Sequence, residues 1–187
     1  RARHDLLVIA EPAFLRDLDQ AWGRPAARVR LSFLPGVPAP GAPGLEDALL
    51  SYERGGLGVL VARGRTSLFE GESARSTTAL ARIASGTRLR AALLVTRAIP
   101  LSGAGDTPDG AAPGQVRVVA DHLNLSGGPL FPATGMVSAG WDANLVERME
   151  HLSGVSGSAV VALVPGPLRP SPAEARVMAS LGADAAV

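Results

Sequence analysis

The sequence predicts an α/β domain built on a largely parallel sheet, and two observations carry that prediction. Short apolar runs alternate with amphipathic stretches along the whole chain, the pattern of strands joined by helical crossovers. With 187 residues, 47% of them apolar, the chain can bury a real core and fits one domain, residues 1–187, better than two.

Taken in order, LLVIA from Leu6 to Ala10 reads as a buried strand. Pro12 then suits the first turn of a helix, where its missing N–H is not needed. Phe14, Leu15, Leu18 and Trp22 recur at helical spacing before Gly23 ends the element. A second strand is expected at Val29 to Leu34, followed by a Pro/Gly surface loop from Pro35 to Gly44. The stretch Leu45 to Val61 admits two readings. Leu45, Ala48, Leu49 and Tyr52 would line one helix face, whereas Gly55 and Gly56 between two apolar runs read as a hairpin turn. Ser76 or Thr77 can cap a helix that runs through Ser85 and stops at Gly86, and Ala91 to Thr96 suits a central strand. After a polar Gly/Pro-rich segment from Leu101 to Gly114, strands are expected at Val116 to Ala120 and Ala159 to Val164. Helices are expected at Asp142 to Leu152 and at Ser171 to Leu181, with Pro172 in the first turn and Glu174 three residues from the cap. Ala183 to Val187 would begin another strand.

Composition excludes several functions. All 18 basic residues are Arg and the net charge is +1, so no basic field exists to draw in nucleic acid or an anionic membrane. The absence of Cys rules out disulfides and thiolate metal sites. No apolar run approaches a bilayer span and the start lacks the tripartite form of a signal peptide, so a cytoplasmic protein is expected. His4 and His151 are isolated, and no metal site is inferred. SGVSG at Ser153 to Gly157 precedes a strand and is not a nucleophile elbow.

Three segments resemble successive parts of the trimeric-type purine nucleoside phosphorylases, a family that includes methylthioadenosine phosphorylase. They are GRTSLFEGES (Gly64 to Ser73), DHLNLSGGPL (Asp121 to Leu130) and PGPLRPSPAEARVMASLGADA (Pro165 to Ala185). The resemblance implies a three-layer nucleoside-phosphorylase-like fold, with a central mixed, largely parallel sheet flanked by helices, and it favours the hairpin at Gly55–Gly56. It also implies phosphorolysis of the N-glycosidic bond of purine nucleosides, with phosphate as co-substrate, no other cofactor, and a homo-oligomer, commonly a trimer.

Residue by residue, the resemblance makes Arg65 the phosphate-binding guanidinium, whose planar fork of donors matches phosphate oxygens. Glu70 matches a catalytic glutamate close to phosphate and ribose, and Phe69 stands where the family commonly has Tyr at the ribose edge. Ala98 falls in the stretch whose backbone lies along the nucleoside, and Arg169 at the position of the aromatic residue on the base. Read from residue type alone, Arg65 is a surface cation, Glu70 a turn carboxylate, Phe69 ordinary core and Arg169 a solvent-facing loop residue. Asp121, His122 and Asn124 read as scaffold, a strand end and turn.

Several positions depart from the family pattern. Its first strand leads into a Gly-Ser-Gly phosphate turn, but here Ala10, Glu11 and Pro12 follow, with an extra carboxylate and one donor fewer. Unit charges 4 Å apart repel by about 4 kcal/mol at an effective dielectric near 20. Glu11 alternatively serves as a helix-capping carboxylate. The family's phosphate-loop histidine has no counterpart in Gly41 to Gly44, and the next histidine aligns with Ser67. Pro100 and Leu101 replace two glycines, and Pro170 replaces the glutamate that contacts the purine nitrogens. The FPATG segment after Leu130 is shorter than the family's inter-subunit loop, and the Gly-Met-Ser segment with later Asn and His residues would follow Val187, so C-terminal incompleteness is expected. The sequence therefore describes a phosphorylase scaffold with a depleted site. It leaves open a working phosphorylase, a non-catalytic subunit, scaffold or small-molecule binder, and, more remotely, a hydrolase using Glu11 as base.

Overall fold

The structure, a computed structural model, describes residues 4–87, 89–101, 114–128, 140–166 and 169–187. They gather in two compact units, Arg1–Thr96 and Arg97–Val187.

In the first unit, β1 (Leu6–Ala10) leads through a 3₁₀ turn at Pro12–Phe14 into α1 (Arg16–Trp22). Asp17 and Asp19 lie in the first turn of α1, where the helix dipole favours acids, and Gly23 closes it with a φ of 62°. The expected strand at Val29 to Leu34 is displaced: β2 is Ala27–Val29, and Leu31–Phe33 form a 3₁₀ turn. Leu31 is turned into the core at 1% exposure, while the Asp47 carboxylate takes both the backbone N–H and the hydroxyl of Ser32. Those two bonds reward a turn where β propensity alone suggested a strand.

The hairpin reading of the next stretch is the observed one. β3 (Leu49–Arg54) and β4 (Leu57–Ala62) pair antiparallel, with Arg54 opposite Leu57. Gly55 and Gly56 have φ values of 56° and 77°, as a two-residue turn of matching twist requires. After a 3₁₀ turn at Leu68–Glu70 come α2 (Ala74–Thr77), α3 (Ala79–Gly86) and β5 (Ala91–Val95). The helix cap expected at Ser76 or Thr77 is instead Ser73, whose hydroxyl accepts the Ser76 N–H, and Gly86 is the last helical residue. Thr78 interrupts the helices, its hydroxyl donating back to the Ala74 carbonyl.

The sheet order is β2-β3-β4-β1-β5, with β1 parallel to both β4 and β5. β5, expected to be central, is the last strand of this sheet. Period-two alternation divides the core cleanly. Val8, Leu50, Tyr52, Val59 and Val61 face Leu15, Leu18 and Trp22 from the α1 side, whereas Leu7, Leu49 and Ala62 face Leu80 and Ala84 of α3 with Leu31. Each fully buried side chain of this size contributes about 1.5–3 kcal/mol.

The second unit holds β6 (Ile99–Pro100), β7 (Val116–Asn124), α4 (Ala143–Glu150), β8 (Val155–Leu163), α5 (Pro172–Ser180) and β9 (Ala185–Ala186). Its order is β6-β9-β8-β7; β7, β8 and β9 run parallel and β6 antiparallel. β7 and β8 are longer than expected because their parallel pairing runs from Val116–Val155 to Asn124–Leu163. Asp142 caps α4 by accepting the Leu145 N–H, and Ser171 with Glu174 forms the capping box of α5. α4 packs on β7 and β8, and Met178 of α5 is buried with Leu101, Ala162 and Ala186. Two mixed sheets with helices against them thus make up the α/β architecture.

Candidate functional site

In parallel α/β sheets ligands bind outside the carboxyl ends of the strands, because loops there diverge and leave a crevice. The first unit has such an edge, where β4, β1 and β5 lie side by side and all run the same way. Glu11 is the first residue past β1, Thr96 the first past β5, and Arg65 follows the end of β4.

Arg65 reaches across this edge. Its Nη2 donates to Thr96 Oγ1 at 2.6 Å, although the strands that carry the two residues are separated by β1. The bond therefore joins the segments that follow β4 and β5, the two strands on either side of β1. Arg65 Nε is inaccessible to solvent and has no hydrogen-bond partner among the described residues.

Glu11, the first residue after β1, is only 8% exposed. Its expected capping role is not seen: the backbone carbonyl of Glu11 accepts the Phe14 N–H at 2.9 Å, and its side chain does not cap the turn. Pro12 supplies no N–H at this turn, so the anion-attracting character of a helix start is reduced on two counts.

The residues after Arg65 form a second wall. Glu70 is exposed, and its Oε2 accepts the Ser67 N–H at 3.1 Å, closing the Leu68–Glu70 turn. Phe69 sits half-buried in the same turn. Thr66, Glu70 and Glu72 line an open depression of about 400 Å³ together with Ala39, Gly41 and Ala42 of the Pro/Gly loop. Its ionisable lining is acidic.

Sequence reasoning missed Arg63. At 9% exposure it is nearly buried, and Nη1 lies 2.7 Å from both oxygens of Asp19 while Nε and Nη2 bond Glu46 at 3.0 and 3.2 Å. Burial pulls its pKa down, but the bonds to Asp19 and Glu46 outweigh this and hold it above the ordinary arginine value. Between the two arginines, Gly64 allows the chain to pass the loop: a Cβ there would stand 2.6 Å from the Glu46 carbonyl oxygen and 2.7 Å from Pro40 Cγ. Arg63 thus anchors the end of β4 to α1, and Arg65 is left for the edge.

In the second unit, Ala98 is exposed just before β6, and Arg169 is exposed two residues before the α5 cap. The His122 cluster builds structure. Asn124 Oδ1 accepts the backbone N–H and hydroxyl of Ser126, its Nδ2 donates to the Gly128 carbonyl, and Trp141 Nε1 donates to His122 Nδ1 at 3.3 Å. Glu174, held below the usual carboxylate range by the Ser171 backbone and side-chain bonds, is used in the cap. The short loop at 131–135, and the parts of the flanking resemblance at 129–130, 136–139 and 167–168, lie outside the described residues. Among the described residues, no group of three or more His, Asp or Glu side chains is placed to hold a metal, and no helix is long and apolar enough to cross a membrane.

No family model matches the chain. The chain is similar to the purine nucleoside phosphorylases of Mycobacterium bovis and Mycobacterium tuberculosis, each 30% identical over 187 residues that include 97% of this chain and 66% of the relative. It therefore spans about two thirds of the length of those relatives. Among solved structures it is similar to Schistosoma mansoni purine nucleoside phosphorylase in complex with acetate, with a TM-score of 0.76, 19% identity, and 98% of this chain and 71% of that one covered. The same enzyme in complex with inosine gives a TM-score of 0.72 at 19% identity, with 98% and 68% covered.

Proposed function

The chain belongs to the purine nucleoside phosphorylase family as a divergent member, and from that premise we propose that it is a phosphorylase-like protein that binds a purine nucleoside and inorganic phosphate and turns them over slowly. In the reaction so assigned, a phosphate oxygen attacks C1′ of the sugar, the C1′–N bond breaks, and the base leaves with the electron pair and takes up a proton. Arg65 receives the phosphate, Glu70 orders the phosphate and ribose end, Phe69 lies at the ribose edge, and Ala98 and Arg169 belong to the nucleoside side. Such catalysis depends on donors fixed around an anionic nucleophile and on a partner for charge developing on the purine. A homotrimer in the cytoplasm is part of the same proposal.

The observation that carries this reading is the Arg65–Thr96 bond between the segments that follow β4 and β5, which keeps a guanidinium at the carboxyl edge of the sheet, where a ligand would enter. Slow turnover follows from the residues around it: buried Glu11 opposes a second anion, Pro12 removes a donor, and Ser67 and Pro170 stand where the family has an imidazole and a carboxylate. The test is release of free base from inosine or guanosine with phosphate at high protein concentration. Release that depends on phosphate and is lost in Arg65→Ala is the expected result. None from a folded sample would overturn it.

The burial of Glu11 favours a second reading, a non-catalytic phosphorylase-fold subunit, scaffold or small-molecule binder. Calorimetry separates the two, since this reading requires that inorganic phosphate not bind.

A further inference from the structure

We infer that Thr96 is the positioning residue of the candidate site: it aims Arg65 across the end of β1 and keeps that guanidinium from turning out to solvent. The inference rests on the reading of Arg65 as the anion-binding residue. An arginine side chain has four rotatable bonds between its backbone and its guanidinium, and its natural resting place is water. Here two opposing effects act on it. Arg65 Nε is shielded from water without a partner among the described residues, a buried donor that favours rotation outward. The Nη2 bond to Thr96 Oγ1, short at 2.6 Å and assisted by the positive charge, holds it in place.

The topology explains why the tether comes from this position. β4 and β5 flank β1, with Ile9 opposite Ala62 and Ala10 opposite Val95. Thr96 is thus the first residue beyond the β5 ladder, at the level where the chain leaves β1. A hydroxyl there lies within reach of an arginine on the far side of β1, and its β-branched carbon restricts the rotamers from which it can bond. Valine at 96 keeps the shape and loses the acceptor, whereas serine keeps the acceptor.

The experiment compares wild type, Thr96→Val, Thr96→Ser and Arg65→Ala in the full chain. The first readout is the Arg65 Nε–Hε resonance, assigned by its disappearance in R65A. It is expected to be slow to exchange in wild type and T96S, and fast or broadened in T96V. The second is calorimetric titration with inorganic phosphate, expected to weaken about tenfold or more in T96V, with T96S near wild type and little change in thermal midpoint. Should T96V fail to fold, Thr96→Ala gives the same comparison. A protected Nε–Hε and unchanged phosphate affinity in the variant lacking the hydroxyl overturn the inference. If wild type binds no phosphate, or R65A binds it equally well, the reading of Arg65 fails. The resonance still decides whether Thr96 holds the side chain.

Discussion

Nη1 of Arg63 stands 2.7 Å from both carboxylate oxygens of Asp19, joining the end of β4 to α1 through a nearly buried guanidinium. Glu46 completes the arrangement, and Arg28 Nη2 approaches the same carboxylate at 3.6 Å. Removing the cation leaves two carboxylates side by side, each more than a third exposed, so water relieves part of the penalty. Arg63→Ala is expected to cost about 2 kcal/mol, less than the 3–5 of a fully enclosed pair, read as a lower urea midpoint at unchanged slope. A loss below about 0.5 kcal/mol would show that the network is as weak as a surface pair.

A neighbouring residue gives a steric prediction. Gly64→Ala places a methyl group against the Glu46 carbonyl and Pro40, and overpacking of this kind costs about 1–3 kcal/mol. Gly86 is the contrast, since nothing lies within 4 Å of its would-be Cβ and it is the last residue of α3. Gly86→Ala is expected to be neutral or to stabilise by up to about 1 kcal/mol. Thermal midpoints of the two variants should therefore move apart; equal shifts would contradict the close approach at Gly64.

Asp47 supplies a pH dependence. The Ser32 hydroxyl bond lowers its pKa most; burial opposes this, and the Ser32 backbone N–H and the charge of Arg30 add to the lowering. Because the folded value lies below the ordinary 3.8, the folded state is stabilised above that pH and loses the contribution as acid protonates the carboxylate. Asp47→Asn should cost about 1 kcal/mol at pH 7, the lower end for a charge-assisted bond at a half-buried site. The difference from wild type should shrink toward pH 3. Urea titrations at both pH values measure it, and a difference independent of pH would remove Asp47 from the acid response.

What the chain reveals before folding follows the range of the interactions involved. β1 and the α5 capping box are written in residues within a few positions of each other and appear where local rules place them, whereas the Gly55–Gly56 hairpin is one of two readings that local rules leave open and the family resemblance favours. The turn at Leu31–Phe33 depends on Asp47, 15 residues on, so β propensity pointed to the wrong element. The candidate site divides in the same way. The family resemblance singles out Arg65 through its Gly-Arg pair, but its tether Thr96 is 31 residues away, and the partners of Arg63 are 17 and 44 residues away. No local spacing signals such contacts. The burial of Glu11 likewise depends on tertiary packing around the end of β1.

Glu11 carries the last prediction. It is the first residue after β1, the strand between those that lead into Arg65 and Thr96, and at 8% exposure its carboxylate is less screened by water than a surface carboxylate. Unit charges at 4 Å and an effective dielectric near 20 repel by about 4 kcal/mol, and a greater separation reduces that in proportion. Even one third of it is about tenfold in affinity. Glu11→Gln keeps the shape and removes the charge, and Glu11→Ser restores the hydroxyl of the family turn while opening space. Both are expected to tighten inorganic phosphate binding by about tenfold or more, with E11S combining the electrostatic gain with a new donor. Arg65→Ala in the E11Q background should abolish the gain, because Arg65 is the cation to which the proposed reading assigns the anion. Unchanged phosphate affinity in both Glu11 variants, with R65A still impaired, would mean that Glu11 faces away from the anion and that Pro12 and Ser67 account for the weakness of the site.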